Sequence, residues 1–306
     1  MPDDEPETGP SVFGERAKLM NIAFRMLGTT HDAEDIVQEA YARWYAMSEE
    51  ARLAIESPPA WLVRVTGRIC LDHLASARVR RERYAGEWLP EPLPDHSSWS
   101  STATLDQAGG DPADRVTLDE SVSMGMLIVL ESVTPAERVA FIMHDVFKMP
   151  FAEIADIVGR TPATCRQLAT SARRHIESNR HQAIAPDQHR SVVSAFKSAC
   201  GTGNLDTLID LLDPRVSVHT DGGGKVRSAR RPILGPEKTA RFFLGLLRKE
   251  PGQELTEKNV NGRPGLVISH DGEVVAVIAT EARAGRITDI WMMVNPDKLR
   301  AWERHR

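Results

Sequence analysis

Cysteine is scarce: three residues, Cys70, Cys165 and Cys200, stand far apart in a chain of 306. No CxxC spacing offers a zinc site, and no even set suggests a disulfide framework. Each cysteine is read as a small buried apolar residue. Long apolar runs are missing too, and no window approaches the ~20 residues of a membrane span. Residues Met1 to Gly9 are acidic and contain proline, without the basic and apolar regions of a signal peptide, so a cytoplasmic location is expected. No internal repeat is evident. The glycine run Gly222-Gly223-Gly224 lacks P-loop spacing and a following Ser or Thr, which leaves it a weak phosphate signal. Its expected use is a turn with positive φ that lets backbone approach another domain closely, with Asp221 and Lys225 beside it able to pair across that contact. Excess positive charge is also lacking: the net charge is −5 and the pI about 6.1, a weak argument against a nucleic-acid partner.

What is present overrides that average. Apolar residues make up 41%, enough for ordinary globular cores, and the length suits two or three domains of ~100–150 residues. Charge is segregated. Six arginines (64, 68, 78, 80, 81, 83) lie between Arg64 and Arg83 against Asp72 and Glu82. Five more (160, 166, 173, 174, 180) lie between Arg160 and Arg180 against Glu177. Two basic islands in an acidic chain mark nucleic-acid contact.

Residues 11–83 read as helical. Leu19, Ile22, Ala23, Met26 and Leu27 follow helical spacing up to a stop at Gly28. Thr30 or Asp32 can cap a second helix whose apolar face is Ile36, Ala40, Trp44 and Tyr45, with Asp32, Glu34, Asp35 and Glu39 on an acidic face. That acidic face would repel DNA; it is either a solvated surface or an interface with a basic protein. Ser57-Pro58-Pro59 opens a third helix, Ala60 to about Arg83. Residues 84–112, with Pro90, Pro92, Pro94 and Gly109-Gly110, are a linker in composition. Trp88-Leu89-Pro90-Glu91-Pro92 within it is expected to dock, because a flexible linker seldom exposes a tryptophan. Residues 113–180 are helical again. Thr134-Pro135-Ala136-Glu137 is a capping box, and Phe151 to Val158, Gly159 and the Thr161-Pro162 start together read as a helix-turn-helix. After Pro186 come helices at His189–Ser198 and Leu205–Leu212. Strand-like runs follow at Val216–His219, Leu266–Ser269, Val274–Thr280 and Ile287–Val294, with His270-Asp271-Gly272 as a hairpin turn. Residues 188–306 are therefore a separate α+β domain with a mostly antiparallel sheet.

In the helix from Pro162, Thr164, Arg166 and Gln167 are the candidates for base or near-base contact, and Arg173 and Arg174 for phosphate. The helix from Ala60 joins aromatic Trp61 to arginines, the composition that grips opened DNA, although Trp61 also suits core packing and the arginine run a solvated helix end.

Together these segments resemble the sigma factors of bacterial RNA polymerase. Asp32-Ala33-Glu34-Asp35-Ile36-Val37-Gln38-Glu39-Ala40 is similar to the region 2 helix that binds the polymerase clamp. The resemblance implies polymerase contact by Asp32, Glu34, Asp35, Gln38 and Glu39. Trp61-Leu62-Val63-Arg64 through Asp72-His73-Leu74 resembles the segment that melts and reads the −10 element. That implies DNA-binding roles for Trp61, Arg64, Arg68, His73, Arg78, Arg80 and Arg81. Leu130 to His175 resembles region 4, which reads the −35 element through Thr164, Arg166, Gln167, Arg173 and Arg174 and meets the polymerase flap. Departures occur at Arg68, Ala75 and Ser171, where relatives often carry Asn, Arg and Arg. The absence of other regions matches the extracytoplasmic-function group. Three further motifs are similar to its subgroup with a fused SnoaL-like domain: Trp88-Leu89-Pro90-Glu91-Pro92, Asp221-Gly222-Gly223-Gly224-Lys225 and Asn295-Pro296-Asp297-Lys298-Leu299.

The resemblance implies two all-α sigma domains, a region 2 helical bundle at 11–83 and a region 4 helix-turn-helix at 113–180. A SnoaL-like α+β cone with a curved sheet follows at 188–306. It also implies core RNA polymerase and promoter DNA as partners, regulation by the cone in place of a separate anti-sigma factor, no membrane, and no catalytic residues, cofactor or metal. A small ligand in the cone's pocket stays open. So does a one-component regulator whose cone is a small-molecule sensor or a cyclase- or isomerase-like enzyme, with His219, Asp221 and Asp289 as candidate bases. The acidic helix discriminates, because a repressor needs no polymerase-binding face.

Overall fold

A computed structural model describes residues 12–82, 84, 86–94, 122–179, 184–249 and 252–303; of residues 12, 13, 77–82 and 179 it describes the backbone only. The chain opens with α1 (Arg16–Leu27), α2 (Thr30–Ala46), a short α3 (Glu49–Leu53) and the long α4 (Pro58–Glu82). Gly28, at φ 77°, ends α1 by donating its N–H to the Phe24 carbonyl, and the Thr29 hydroxyl oxygen accepts from the Asp32 N–H to start α2. The second helical group comprises α5 (Met124–Glu131), α6 (Pro135–Phe141, continuing as a π turn to Val146), α7 (Phe151–Val158) and α8 (Pro162–Asn179). Both halves of the Thr134 capping box form. The α7–Gly159–α8 unit is the expected helix-turn-helix, with Gly159 at φ 70°.

The two helical groups share one core. Every residue of α1 from Leu19 to Leu27 is buried, Asn21 and Arg25 included. A helix apolar on one face alone could not be wrapped this way. The partners are α2 and α4 on one side and the π turn on the other, with α4 also packed on α6 and α7. Gly67 of α4 makes the close approach possible: a Cβ there would press on Met143 and Ile157. Two polar contacts sit in the seam. Buried Arg138 donates to the Met26 carbonyl (2.8 Å) at the end of α1 and to Glu131 (2.7 Å). Arg68 donates to the Ile157 carbonyl (3.0 Å) at the end of α7. Arginine at a helix C-terminus meets unsatisfied carbonyls and the negative end of the macrodipole.

The C-terminal unit begins with α9 (Pro186–Thr202) and α10 (Leu205–Asp210). Then come β1 (Leu212–Asp221), β2 (Ile233–Leu234), α11 (Pro236–Lys249), β3 (Gln253–Val260), β4 (Arg263–His270), β5 (Glu273–Arg283), β6 (Arg286–Met293) and α12 (Arg300–Glu303). The six strands form one sheet, β2-β1-β6-β5-β4-β3, antiparallel except for the β1–β6 pair. The expected mostly antiparallel α+β fold is borne out. Asp271 and Gly272 both have positive φ in the β4–β5 turn. Sequence reading omitted α3, β2, α11, α12 and β3. The last carries Glu254, Thr256, Glu257 and Lys258, too polar for a hydrophobic-run criterion, and lies at the sheet edge.

Both faces of the sheet are apolar. Leu266, Ile268, Ala276, Ile278, Ile290 and Met292 face α9 and α11. On the opposite face Val267, Val277, Ala279, Trp291 and Met293 build a second core with Leu89, Met124, Leu299 and Trp302. An antiparallel sheet with water on one face would alternate apolar and polar residues; this one is covered by the linker and by the start of the second helical group.

Candidate functional site

The outer face of the sheet holds residue 84 and the segment 86–94. Its prolines, Pro90, Pro92 and Pro94, favour an extended backbone. Leu89 is clasped from both sides. Its N–H donates to Asp221 Oδ2 (3.0 Å) and its carbonyl accepts from Lys298 Nζ (2.5 Å), while Lys298 also donates to that Asp221 oxygen (2.7 Å). The other Asp221 oxygen accepts from the Tyr84 hydroxyl (2.7 Å) and the Gly223 N–H (2.9 Å). Asn295 Nδ2 donates to Tyr84 Oη (2.8 Å), and burial with the bond to Asp221 pushes the Tyr84 hydroxyl up. Asp221 is fully buried at the end of β1, where three neutral donors and one cation, Lys298, satisfy its two oxygens. The Lys298 ammonium also lies 4.3 Å from the Trp88 ring centroid and 5.2 Å from that of Tyr84. Thus the three motifs at 88–92, 221–225 and 295–299 meet at one clasp.

The glycines explain themselves here. Gly223, at φ 61°, lies so close to Asn295 that any Cβ would collide with it, and a Cβ on Gly222 would strike the Val226 carbonyl. The close neighbour is therefore Asn295 of the same domain. Of the two residues beside the run, Asp221 pairs across to the linker, whereas Lys225 bridges to Asp297 (2.5 Å) of its own domain, whose carboxyl that bond holds low.

Further along, Trp302 Nε1 donates to the Pro92 carbonyl (2.8 Å), and Leu93 and Asn261 exchange two hydrogen bonds (2.9 and 3.1 Å). The segment's other side grips the first helical group. The Glu91 N–H donates to the Gly28 carbonyl (2.7 Å), and its carboxylate accepts from the Thr30 N–H (2.7 Å) and hydroxyl (2.7 and 2.8 Å). A linker carboxylate thereby sits on the N-terminus of α2, where the macrodipole favours it. Burial pushes the Glu91 carboxyl up, and the Thr30 bonds oppose that. The end of the Trp88 ring lies over Gly28, where a Cβ would be 3.1 Å away.

On α2, Glu34, Asp35, Gln38 and Glu39 are exposed, while Ala33, Ile36, Val37, Ala40 and Trp44 are buried. Asp32 is half-buried, accepting from the Thr29 hydroxyl (2.6 Å) and lying 3.7 Å from His73. The −10 candidates divide. Trp61 packs on Trp44 with ring centroids 5.3 Å apart, which is its core role, and Arg64 is half-buried. Arg68 is turned to Ile157 and Asp72. The side chains of Arg78, Arg80 and Arg81 lie outside the described residues. On α8, Arg166, Gln167 and Arg174 are exposed, Arg166 lying 5.2 Å from the Phe151 ring centroid. Thr164 is half-buried beside the Thr161 cap. Arg173, expected at a phosphate, is instead held by Asp145 of the π turn through Nε (3.1 Å) and a second nitrogen (2.6 Å). Ser171, one of the departures from the family pattern, is exposed on α8.

The candidate bases His219, Asp221 and Asp289 do not line the cone's cavity. That cavity, about 600 Å³, lies between α11 and the inner sheet face, among Phe242, Leu246, Ile268 and Met292. His219 instead bonds Glu87 of the linker (2.5 Å) and Ser217 (3.1 Å), and Ser217 donates to Asp289 (2.9 Å). Sequence reasoning missed Tyr84, Glu87, Arg138, Asn261 and Trp302. Tyr84 and Glu87 border the 88–92 motif, and Trp302 is a lone aromatic just beyond 295–299. Arg138 carried a fainter signal, one charge directly ahead of the apolar run that begins at Val139. All three cysteines are buried and free. Among the described residues no helix is long and apolar enough to cross a membrane.

Comparison with known proteins places this geometry. The model of Sigma-70 region 2 matches residues 15–80, and that of Sigma-70 region 4 matches residues 129–176. A probable ECF RNA polymerase sigma factor SigI of Mycobacterium tuberculosis is 39% identical over 285 residues, covering 93% of this chain and 92% of the relative. The ECF RNA polymerase sigma factor SigJ of the same species is 38% identical over 297 residues, covering 93% and 90%. The crystal structure of M. tuberculosis SigJ superposes with a TM-score of 0.72 at 35% identity, covering 95% of this chain and 98% of that one.

Proposed function

Because the chain belongs to the ECF RNA polymerase sigma factors, which initiate transcription with core polymerase at promoter DNA, we propose that its own C-terminal domain holds its initiation surfaces closed. The observation that carries this reading is the clasp on Leu89 by Asp221 and Lys298, continued through Glu91 to the N-terminus of α2. In this reading the exposed Glu34, Asp35, Gln38 and Glu39 meet the polymerase clamp, and region 4 meets the flap. The α4 helix opens the −10 element and α8 reads the −35 element. Those two elements lie apart on DNA, whereas α4 and α7 are packed together here. Both domains cannot read their elements until the shared core parts. Arg68 and Arg173 support the same view, since each is engaged within the chain. The clasp takes the place of a separate anti-sigma partner, and the protein works in the cytoplasm where polymerase acts.

Run-off transcription with core polymerase tests this. The full chain is expected to give little promoter-specific product, and Asp221→Ala or Trp88→Ala to give more. Equal or lower product from both variants, with equal polymerase binding, overturns closure. No product from any chain, truncations after Arg180 and Gly224 included, overturns the division of roles among α2, α4 and α8.

A further inference from the structure

The β1–β2 loop carries a third basic island. Residues 222–232 contain Lys225, Arg227, Arg230 and Arg231 and no carboxylate. All four are exposed. Lys225 pairs with Asp297; Arg227, Arg230 and Arg231 make no ion pair or side-chain hydrogen bond among the described residues. The loop is held in shape by its root. The Gly222 carbonyl accepts from the N–H groups of Lys225 (3.0 Å) and Val226 (3.1 Å), and the Thr220 hydroxyl donates to the Ala229 carbonyl (3.0 Å). The four cations border an open groove of about 1280 Å³ whose opposite wall is the linker at Gly86 and Glu87. Glu87, the one carboxylate there, is already engaged by His219.

Position supplies the rest. The arginine-rich end of α4 stops at Glu82, and Tyr84 is then bonded to Asp221, the residue from which the loop springs. From Glu82 to Gly86 the chain can span at most ~14 Å. The end of the promoter-opening helix and the loop of the C-terminal domain therefore border the same groove. A groove walled by arginine, with no aromatic side chain to stack a base, fits the phosphodiester backbone of nucleic acid. We propose that the β1–β2 loop is a DNA-backbone contact, continuing the track of α4 onto the C-terminal domain without regard to sequence. The loop's own shape does not depend on closure, because it is anchored within its own domain, whereas the groove and its continuity with α4 belong to the docked linker.

The test is binding of a short labelled DNA single strand of mixed sequence to the full chain, followed by fluorescence anisotropy across a salt series. Converting Arg227, Arg230 and Arg231 together to Ala removes up to three phosphate contacts. The slope of log affinity against log salt is expected to fall by ~2, at ~0.7 per contact on a single strand. The triple Lys variant is expected to keep the slope, and both variants to melt like the parent because the three side chains are exposed. An unchanged slope in the Ala variant overturns the proposal. So does an equal loss in the Lys variant, or displacement of the strand by tripolyphosphate at matched phosphate concentration, which would mark a compact anion pocket.

Discussion

Replacing Asp221 by Ala removes the one carboxylate that four donors share. Three of those donors can find other partners at modest loss, but Lys298 cannot. Its side chain is 9% exposed, and without Asp221 its charge retains the Leu89 carbonyl and the faces of Trp88 and Tyr84. Breaking one side of a buried ion pair costs about 3–5 kcal/mol. That cost falls on the docked arrangement, because a released segment 84–94 lets water reach the ammonium. At about 1.4 kcal/mol per tenfold, the docked-to-released ratio drops by roughly two to three and a half orders of magnitude. Hydrogen exchange reads this directly. The amides of Leu89, Glu91 and Leu93 donate to Asp221, Gly28 and Asn261, so all three are expected to lose protection together, while the helix amides of α1 keep theirs. The paired change Asp221→Leu with Lys298→Met removes both charges and is expected to restore much of the protection. Parental exchange at all three amides in Asp221→Ala would refute the claim that this carboxylate fastens the linker.

Other expectations follow from the same geometry. Burial raises the Glu91 carboxyl, so docking favours its protonated form: linkage to α2 is strongest in acid and weakens as pH rises through and above the ordinary carboxylate range. Glu91→Gln should flatten that dependence in the same exchange experiment. His189 is buried against Thr280, and burial pushes its pKa down to about 4. The unfolded chain takes up a proton first, so stability is full above about pH 6.5 and falls by about 3 kcal/mol as pH drops toward 4. Thermal melts of His189→Asn should lack that fall. Arg138→Met removes a charged hydrogen bond to Met26 worth about 1.5–3 kcal/mol, so it should loosen regions 2 and 4 and raise core polymerase binding in a pull-down. Arg174→Ala should weaken DNA binding about equally across sequences at an unchanged Tm, whereas Arg173→Ala should lower Tm through loss of the Asp145 pair.

The helical half was legible because its signals are local. The capping box at Thr134, the stops at Gly28 and Gly159 and the 3.6-residue spacing of α1 and α2 depend on neighbours a turn away. The four strands found were apolar runs; β3 was missed because an edge strand needs no such run. What could not be read was which surface meets which. Arg68 has the same helical context whether it faces DNA or the Ile157 carbonyl 89 positions away. One long-range clue was present. Val274 to Ala279 is apolar without alternation, and Trp291-Met292-Met293 likewise, so both sheet faces had to be covered. Read with Trp88 and Leu89, that pattern pointed to a linker laid on a sheet.

The clasp also imposes a timetable. Leu89 and Lys298 are 209 positions apart, and synthesis proceeds at ~5–20 residues per second, so the linker leaves the ribosome about 10–40 s before its fastener exists. For that interval the nascent chain carries both helical groups, joined only by their own shared core, and an 84–94 segment with no sheet to hold it. Under the proposed closure, each new molecule passes through a brief open youth, and core polymerase has its earliest access before the last strand and the lysine beyond it arrive.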